Sequence, residues 1–195
     1  MRRSPPVNLG AVAVSAAILL GQTVNGNPMP VVLHPLRGGA EQMAFTLHTP
    51  GFEPGGDIPK KYTCDGADLS PAFNWTAPPA TTASMALIAD DPDAPVGNWN
   101  HWVLFDMPST VRNLSEDVQK TDHLADGSRQ GRNDFKRIGY RGPCPPPGKP
   151  HRYFFRLYAL DAKLDLPAGS TKAEVESAMK GHVLAQAEVM GKYHR

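Results

Sequence analysis

The sequence predicts a mainly β fold of antiparallel sheets, followed by a helical segment close to the C-terminus. The apolar runs are of strand length, and Pro, Gly, Asn and Asp residues bound them. No long amphipathic helix lies between these runs, although a parallel sheet would need such helices as crossovers. The pattern therefore favours antiparallel pairing over a parallel α/β sheet.

Four runs are predicted as strands: residues 45–48, 84–89, 101–106 and 153–160. Alternate residues of a strand share one face, which puts a polar ring at the mouth of two of these strands and apolar residues beneath it. The first such set is His151, Tyr153, Phe155 and Leu157, and the second is His101, Val103 and Phe105. Each set is expected to point one way, toward a cavity at the mouth and the core below.

The helical segment begins with a capping box. Thr171 supplies a hydroxyl and Glu174 a carboxylate, and each satisfies a free backbone N–H of the first turn. Gly181 is expected to break this helix, and residues 183–190 are expected to resume it.

The N-terminus has the layout of a secretory signal peptide, predicted over residues 1–26. Arg2 and Arg3 precede an uncharged apolar run over residues 9–21. Residues 24–26 are small or otherwise acceptable before a signal-peptide cleavage site after Gly26. The run is too short to span a bilayer comfortably. The mature protein is therefore expected to be periplasmic or secreted, with no stable membrane span, and an uncleaved N-terminal anchor is the alternative.

The rest of the chain is expected to hold one domain. Residues 27–42 are rich in Pro and Gly and are predicted to form a flexible N-terminal arm, and residues 43–195 have a common domain size. Removing Arg2 and Arg3 from the 20 basic side chains leaves 18 against 19 acidic ones. A near-neutral chain without long basic runs predicts no nucleic-acid partner and no electrostatic membrane patch.

The chain has two cysteines, Cys64 and Cys144. In an exported protein an even number of cysteines predicts a disulfide between them. Two free thiols are the alternative if the chain is not exported. Neither cysteine belongs to a C-x-x-C pair, so no metal site is predicted at them.

Two segments stiffened by proline carry the groups best suited to bind a ligand. Residues 90–95 read D-D-P-D-A-P and are followed by N-W-N-H-W at 98–102, and residues 142–147 read G-P-C-P-P-P and are followed by H-R-Y at 151–153. Each sets a carboxylate or an imidazole beside rigid backbone and an apolar run. This pattern favours a small preformed pocket for an anionic group.

A phosphate-like ligand needs hydrogen-bond donors. His101 and His151 donate from both ring nitrogens when protonated and from one when neutral, and Tyr153 offers a hydroxyl. The backbone N–H of Gly142 or Cys144 can also face a ligand, whereas prolines only form walls. Taken singly, each such histidine is also explained as a polar group satisfied by its neighbours.

Asp91 accepts hydrogen bonds and would repel a phosphate. It is expected to orient a histidine or to receive the ammonium group of an ethanolamine-like ligand. As an aspartate in a D-P-D segment, it is equally explained as a turn former.

These motifs resemble those of the phosphatidylethanolamine-binding protein family, also called the Raf kinase inhibitor protein family, in its bacterial YbhB/YbcL-like branch. Further matching segments are Y-T-C-D-G at 62–66, Q-G-R-N-D-F at 130–135 and L-Y-A-L-D at 157–161. The resemblance runs from about Phe45 to the C-terminus. It implies an antiparallel Greek-key β-sandwich with short helices, including one at the C-terminus.

The resemblance also implies a pocket at one end of the sandwich that binds phosphate, phosphorylethanolamine or acetate. By position, the implied ligand-binding residues are Asp91, Pro95, Trp99, His101, Gly142, Pro143, His151 and Tyr153. Many eukaryotic members have two adjacent histidines where this chain has Asn100 and His101. The Ala94–Pro95 bond is predicted to be cis, because a cis bond would turn the D-P-D segment sharply into the pocket wall.

Three functions compete. The first is binding of a small anion or phospholipid headgroup without catalysis or cofactor, which the lack of a nucleophile–base pair and of a G-x-S-x-G elbow favours. The second is inhibition of a protease or other partner enzyme through the pocket rim, with a partner that the sequence does not name. The third is a metal-dependent hydrolase, since Asp and His are sound metal ligands, although the proline walls argue against it. Its residues would be Asp91, Asp93, His101 and His151.

Overall fold

The computed structural model describes residues 44–195. The predicted signal peptide, residues 1–26, and the predicted arm, residues 27–42, lie outside the described residues. The described strands are β1 (Leu47–His48), β2 (Phe73–Trp75), β3 (Ser84–Asp91), β4 (Trp99–Pro108), β5 (Asn113–Leu114), β6 (Arg129–Gln130), β7 (His151–Leu160) and β8 (Val183–Tyr193). A 3₁₀ turn covers Lys60–Tyr62, and the helix α1 covers Lys172–Met179. Over residues 44–195, none of the helices has the length and apolar character needed to cross a membrane.

The strands form two antiparallel sheets, as the sequence predicts. One sheet has the order β1-β2-β5, and the other has the order β6-β4-β3-β7-β8. The central strand β3 is buried at every position, because neighbouring strands cover its edges and other elements cover both of its faces. The mainly β, antiparallel fold class is therefore confirmed.

The main core lies between the two sheets. Phe73 of β2 and Leu114 of β5 pack in one cluster with Leu87, Trp102 and Phe155 of the larger sheet. The opposite face of the larger sheet carries a second, smaller cluster, which includes two buried side chains of α1. Each fully buried large apolar side chain contributes roughly 1.5–3 kcal/mol, so the larger sheet is stabilised from both faces.

Burial alternates along β7 as the sequence predicts. His151, Tyr153, Phe155 and Leu157 are all buried, and the residues between them are exposed or half-buried. The two polar rings at the start of the strand therefore share a face with the main core.

The prediction that His101 and Val103 share one face of the strand is wrong. The β3–β4 ladder steps from Trp102 to Asn100 between consecutive residues of β3, which leaves His101 as an extra residue. A bulge of this kind re-aims a side chain. The ring of His101 packs on Tyr153, whereas Val103 belongs to the smaller cluster on the opposite face.

The capping box at the start of α1 is confirmed. The Thr171 hydroxyl accepts a hydrogen bond from the Glu174 N–H, and the Glu174 carboxylate accepts one from the Thr171 N–H at 2.7 Å. The two side chains thus satisfy donors that the first turn leaves free.

The predicted helix over residues 183–190 is wrong, because this segment belongs to the edge strand β8. Gly181, at φ 83°, turns the chain after α1. Ala187, Val189 and Gly191 are buried at every second position, and β8 pairs with β7 along its whole length. Pairing with a long neighbouring strand outweighs the local apolar spacing, so α1 precedes the last strand and does not end the chain.

Candidate ligand-binding site

A cavity of about 250 Å³ opens at the edge of the larger sheet where β3 ends and where β4 and β7 begin. Antiparallel neighbours bring these three strand ends together, although they are far apart in sequence. The cavity is lined by Asp91, Ala94, Pro95, Val96, Trp99, His101, Phe135, Cys144, Pro145, Pro146 and His151. Five of the eight residues named from the sequence therefore line one cavity.

His151 is oriented by Asp91. Its Nδ1 lies 2.8 Å from Asp91 Oδ2 in a buried pair, and the other carboxylate oxygen accepts the Asp93 N–H at 2.9 Å. Of the two roles expected for Asp91, the geometry shows the orienting one. With Nδ1 engaged, Nε2 is the ring nitrogen that His151 leaves for a ligand.

His101 is held in the same way by a backbone carbonyl. Its Nδ1 lies 2.7 Å from the Arg141 oxygen. A carbonyl only accepts, so Nδ1 carries the hydrogen and the neutral ring has its lone pair on Nε2. Burial lowers the pKa of His101, while the Arg141 carbonyl and the Asp91 carboxylate act in the opposite direction. In the free protein this ring is therefore easier to deprotonate than an ordinary histidine.

Tyr153 contacts His101 but does not itself line the cavity. The two rings meet edge to face with centroids 5.2 Å apart. The Tyr153 hydroxyl is buried, and no group of the described residues forms a hydrogen bond with it. Burial and the nearby Asp91 carboxylate raise the pKa of Tyr153 well above its ordinary value. The hydroxyl therefore keeps its proton and can act as a hydrogen-bond donor.

Gly142 and Pro143 stand behind the cavity and do not line it. The Gly142 N–H donates to Asp68 Oδ1 at 2.7 Å, so this donor is already used within the protein. The Pro143 carbonyl accepts the Cys64 N–H at 3.0 Å. A Cβ at position 142 would overlap the Tyr62 carbonyl, which explains why glycine is needed there. Both residues therefore hold the loop in place.

The predicted disulfide is confirmed. Cys64 and Cys144 are bonded, with their Cα atoms 5.4 Å apart, within the usual range for a bridge. Cys144 is also part of the cavity wall. The bond therefore ties the 62–66 loop directly to the proline-rich wall.

The predicted cis bond at Ala94–Pro95 is wrong, because residues 44–195 contain no cis peptide bond. Asp91 Oδ1 accepts the Asp93 N–H, which closes a side-chain-mediated turn. The Ala94 carbonyl then accepts the Gly97 N–H at 3.0 Å. Two consecutive turns thus reverse the chain with all peptide bonds trans.

Phe135 also lines the cavity, although neither proline-rich motif contains it. Its ring meets Trp99 and His101 edge-on, with centroids 5.4 Å and 5.3 Å away. The neighbouring Asp134 accepts the Asn100 N–H at 2.7 Å and so secures the start of β4. Both residues lie in the Q-G-R-N-D-F segment, whose only signal was its part in the family resemblance.

Asp68 was not predicted as a site residue either, although it holds the backbone that orients His101. Its carboxylate binds the Arg141 guanidinium at 2.9 Å and the Lys120 ammonium at 2.8 Å, in addition to the Gly142 N–H. These bonds position the Arg141–Gly142 backbone, whose carbonyl orients His101. An isolated aspartate in a loop has no sequence pattern that would reveal this role.

The residues of the metal-hydrolase alternative are not arranged as one set. Asp93 faces Arg152, whose Nε and Nη2 donate to its two carboxylate oxygens at 2.8 Å and 2.7 Å. Within residues 44–195 no group of three His, Cys, Asp or Glu side chains could hold a metal ion. The cavity walls also bear no hydroxyl or free thiol, because Cys144 is in the disulfide.

Comparisons with known proteins agree with this architecture. The family model of the phosphatidylethanolamine-binding protein matches residues 48–194. A UPF0098 protein of Methanothermobacter thermautotrophicus is 52% identical over 77% of this chain and 99% of its own length. A UPF0098 protein of Aquifex aeolicus is 49% identical over 81% of this chain and 91% of its own length.

Two solved structures share the fold. A phosphatidylethanolamine-binding protein homologue from Chlamydia trachomatis superposes with a TM-score of 0.71 and 39% identity, over 78% of this chain and 98% of its own. Escherichia coli YbcL, described as a new member of the mammalian family, has a TM-score of 0.73 and 34% identity, over 77% of this chain and 98% of its own. The chain therefore belongs to the phosphatidylethanolamine-binding protein family. Membership of this family supports a ligand-binding role in general terms.

Proposed function

We propose that this protein is an exported, non-catalytic binding protein for a small anion, such as phosphate or a phosphorylethanolamine headgroup. One observation carries the proposal: two buried histidines line the same cavity, and each has its Nδ1 engaged by the protein. The Nε2 atoms of His101 and His151 are then available to a ligand. The signal-like N-terminus supports export, and a disulfide is typical of exported proteins.

Anion binding at His101 is coupled to the binding of a proton. The neutral His101 ring presents a lone pair at Nε2, which repels an anion unless a proton lies between them. A bound anion therefore favours the protonated ring and raises the pKa of His101 above its lowered value in the free protein. Affinity should rise as pH falls between the pKa of the complex and that of the free protein, and should level off below the latter.

Calorimetric titration with phosphate and phosphorylethanolamine tests the proposal. His101→Ala and His151→Ala should each weaken binding by about 1–3 kcal/mol, or roughly 5- to 150-fold, the usual effect of losing one charge-assisted hydrogen bond. Sulfate, a dianion that does not titrate near neutral pH, isolates the contribution of the protein to the pH dependence. Unchanged affinity in both variants would refute the proposal.

His182→Ala is a matched control. His182 also pairs through Nδ1 with a carboxylate, Asp161 Oδ1 at 2.7 Å, but it is exposed and precedes β8, at the opposite end of that strand from His151. Its loss should leave phosphate affinity and the pH profile unchanged. An equal loss of affinity in this variant would show that the effect does not arise at the cavity.

A further inference from the structure

A second and wider groove, of about 660 Å³, adjoins the histidine cavity. It is lined by Asp93, Lys149, Pro150, His151, Arg152 and Lys192. His151 lines both spaces. A ligand that contacts this ring in the cavity therefore lies at the border of the groove.

The groove retains positive charge that the protein does not neutralise. Arg152 lies directly opposite Lys192 in the β7–β8 ladder, a like-charge arrangement that destabilises a sheet. Asp93 compensates Arg152 through two side-chain hydrogen bonds. No acidic side chain in residues 44–195 forms an ion pair with Lys192 or Lys149, and the backbone bridge between Asp57 and Lys192 adds none. Two lysines thus remain available to an anion.

The backbone on both sides of the groove is held in place. The Lys192 N–H donates to the Gly56 carbonyl, and the Lys192 carbonyl accepts the Ile58 N–H. Residues 56–58 therefore hold one edge of β8 at Lys192, while β7 pairs with the other edge. Lys149 precedes Pro150 in the proline-rich loop, where proline restricts the backbone. Charges on a preorganised backbone lose less entropy when a ligand binds.

We propose that this groove is a second anion subsite and that the ligand of the protein carries two anionic groups. One group, phosphoryl in character, lies at His101 and His151, and the other, a phosphate or a carboxylate on the same molecule, lies at Lys149 and Lys192. This inference rests on the proposed function and narrows it to a class of bis-anionic ligands. A second group on one molecule gains from its high effective concentration once the first is bound.

The test compares inorganic phosphate with inorganic tripolyphosphate by calorimetry at low ionic strength, where exposed charges are least screened. The wild type should bind tripolyphosphate about 2- to 30-fold more tightly, because two exposed ion pairs contribute about 0.2–1 kcal/mol each. The double variant Lys149→Ala/Lys192→Ala should lose this preference and keep the wild-type affinity for phosphate.

A double variant Lys163→Ala/Lys180→Ala controls for net charge, because it removes two exposed lysines that do not line the groove. It should keep the preference for tripolyphosphate. Equal affinity of the wild type for both probes, or a preference that survives in Lys149→Ala/Lys192→Ala, overturns the inference. A preference lost equally in the control also overturns it.

The two proposals fail separately. Tripolyphosphate binding that needs Lys149 and Lys192, without phosphate binding that needs the histidines, would support the groove and refute the histidine site. Phosphate binding that needs the histidines, without any preference for tripolyphosphate, would support the histidine site and refute the groove. If neither probe binds, both proposals are wrong.

Discussion

Replacing Cys64 and Cys144 together by serine should lower the free energy of unfolding by about 4.5 kcal/mol. The two residues are separated by 80 positions, and closing a loop of that length removes roughly 15 cal/mol/K of entropy from the unfolded chain. The folded state should persist in the variant, because the Cys64 N–H still binds the Pro143 carbonyl and the Gly142 N–H still binds Asp68. The loss therefore arises mainly in the unfolded state.

Urea denaturation followed by tryptophan fluorescence measures this difference. The double-serine variant should unfold at a lower urea concentration and with a larger m-value, since its unfolded chain exposes more surface. The wild type unfolded with a thiol reductant should coincide with the variant, which controls for the serine substitutions. A difference below about 1 kcal/mol would refute the chain-entropy reasoning. The variant should still bind phosphate, since the two backbone hydrogen bonds hold the cavity wall.

Two further predictions concern acid stability and export. Arg152 lowers the pKa of Asp93 from 3.8 to about 2. The ionised Asp93 carboxylate therefore stabilises the fold above pH about 4, and this stabilisation is lost as pH falls toward 2. Asp93→Asn should lower the melting temperature at neutral pH, and circular dichroism melts of variant and wild type should converge near pH 2; a constant difference would exclude the carboxylate as the cause. N-terminal sequencing of the protein from its native compartment should begin near Asn27, and a mature protein that retains residues 1–26 would contradict export.

The local signals in the sequence predicted a large part of the fold. Proline, glycine and asparagine boundaries placed the strands that became β3, β4 and β7, and a hydroxyl–carboxylate pair at Thr171 and Glu174 predicted the start of α1. These features depend on residues close together in the chain, so sequence spacing is enough to reveal them. The segment of β8 was misassigned because its conformation depends on pairing with β7, which local spacing does not report.

At the candidate site, too, the sequence predicted local features and did not predict contacts between distant segments. The D-P-D-A-P and G-P-C-P-P-P motifs, together with the N-W-N-H-W and H-R-Y segments that follow them, predicted five residues that line one cavity. The same motifs did not single out Asp68 or Phe135, because the contacts of these residues come from separate loops. The bulge that turns His101 toward Tyr153 arises from the register between two strands. A residue count along one strand does not contain that register.

The sequence by itself determined which chemical groups this protein has for a ligand: imidazoles, a phenol, a carboxylate and rigid proline walls. Only the tertiary structure decided how they are presented. The hydrogen-bond acceptors that engage the two Nδ1 atoms, the Arg141 carbonyl and Asp91, lie 40 and 60 residues from His101 and His151. The tautomer of a histidine follows from its partner, and these partners meet only when the antiparallel sheet brings distant strand ends to one edge.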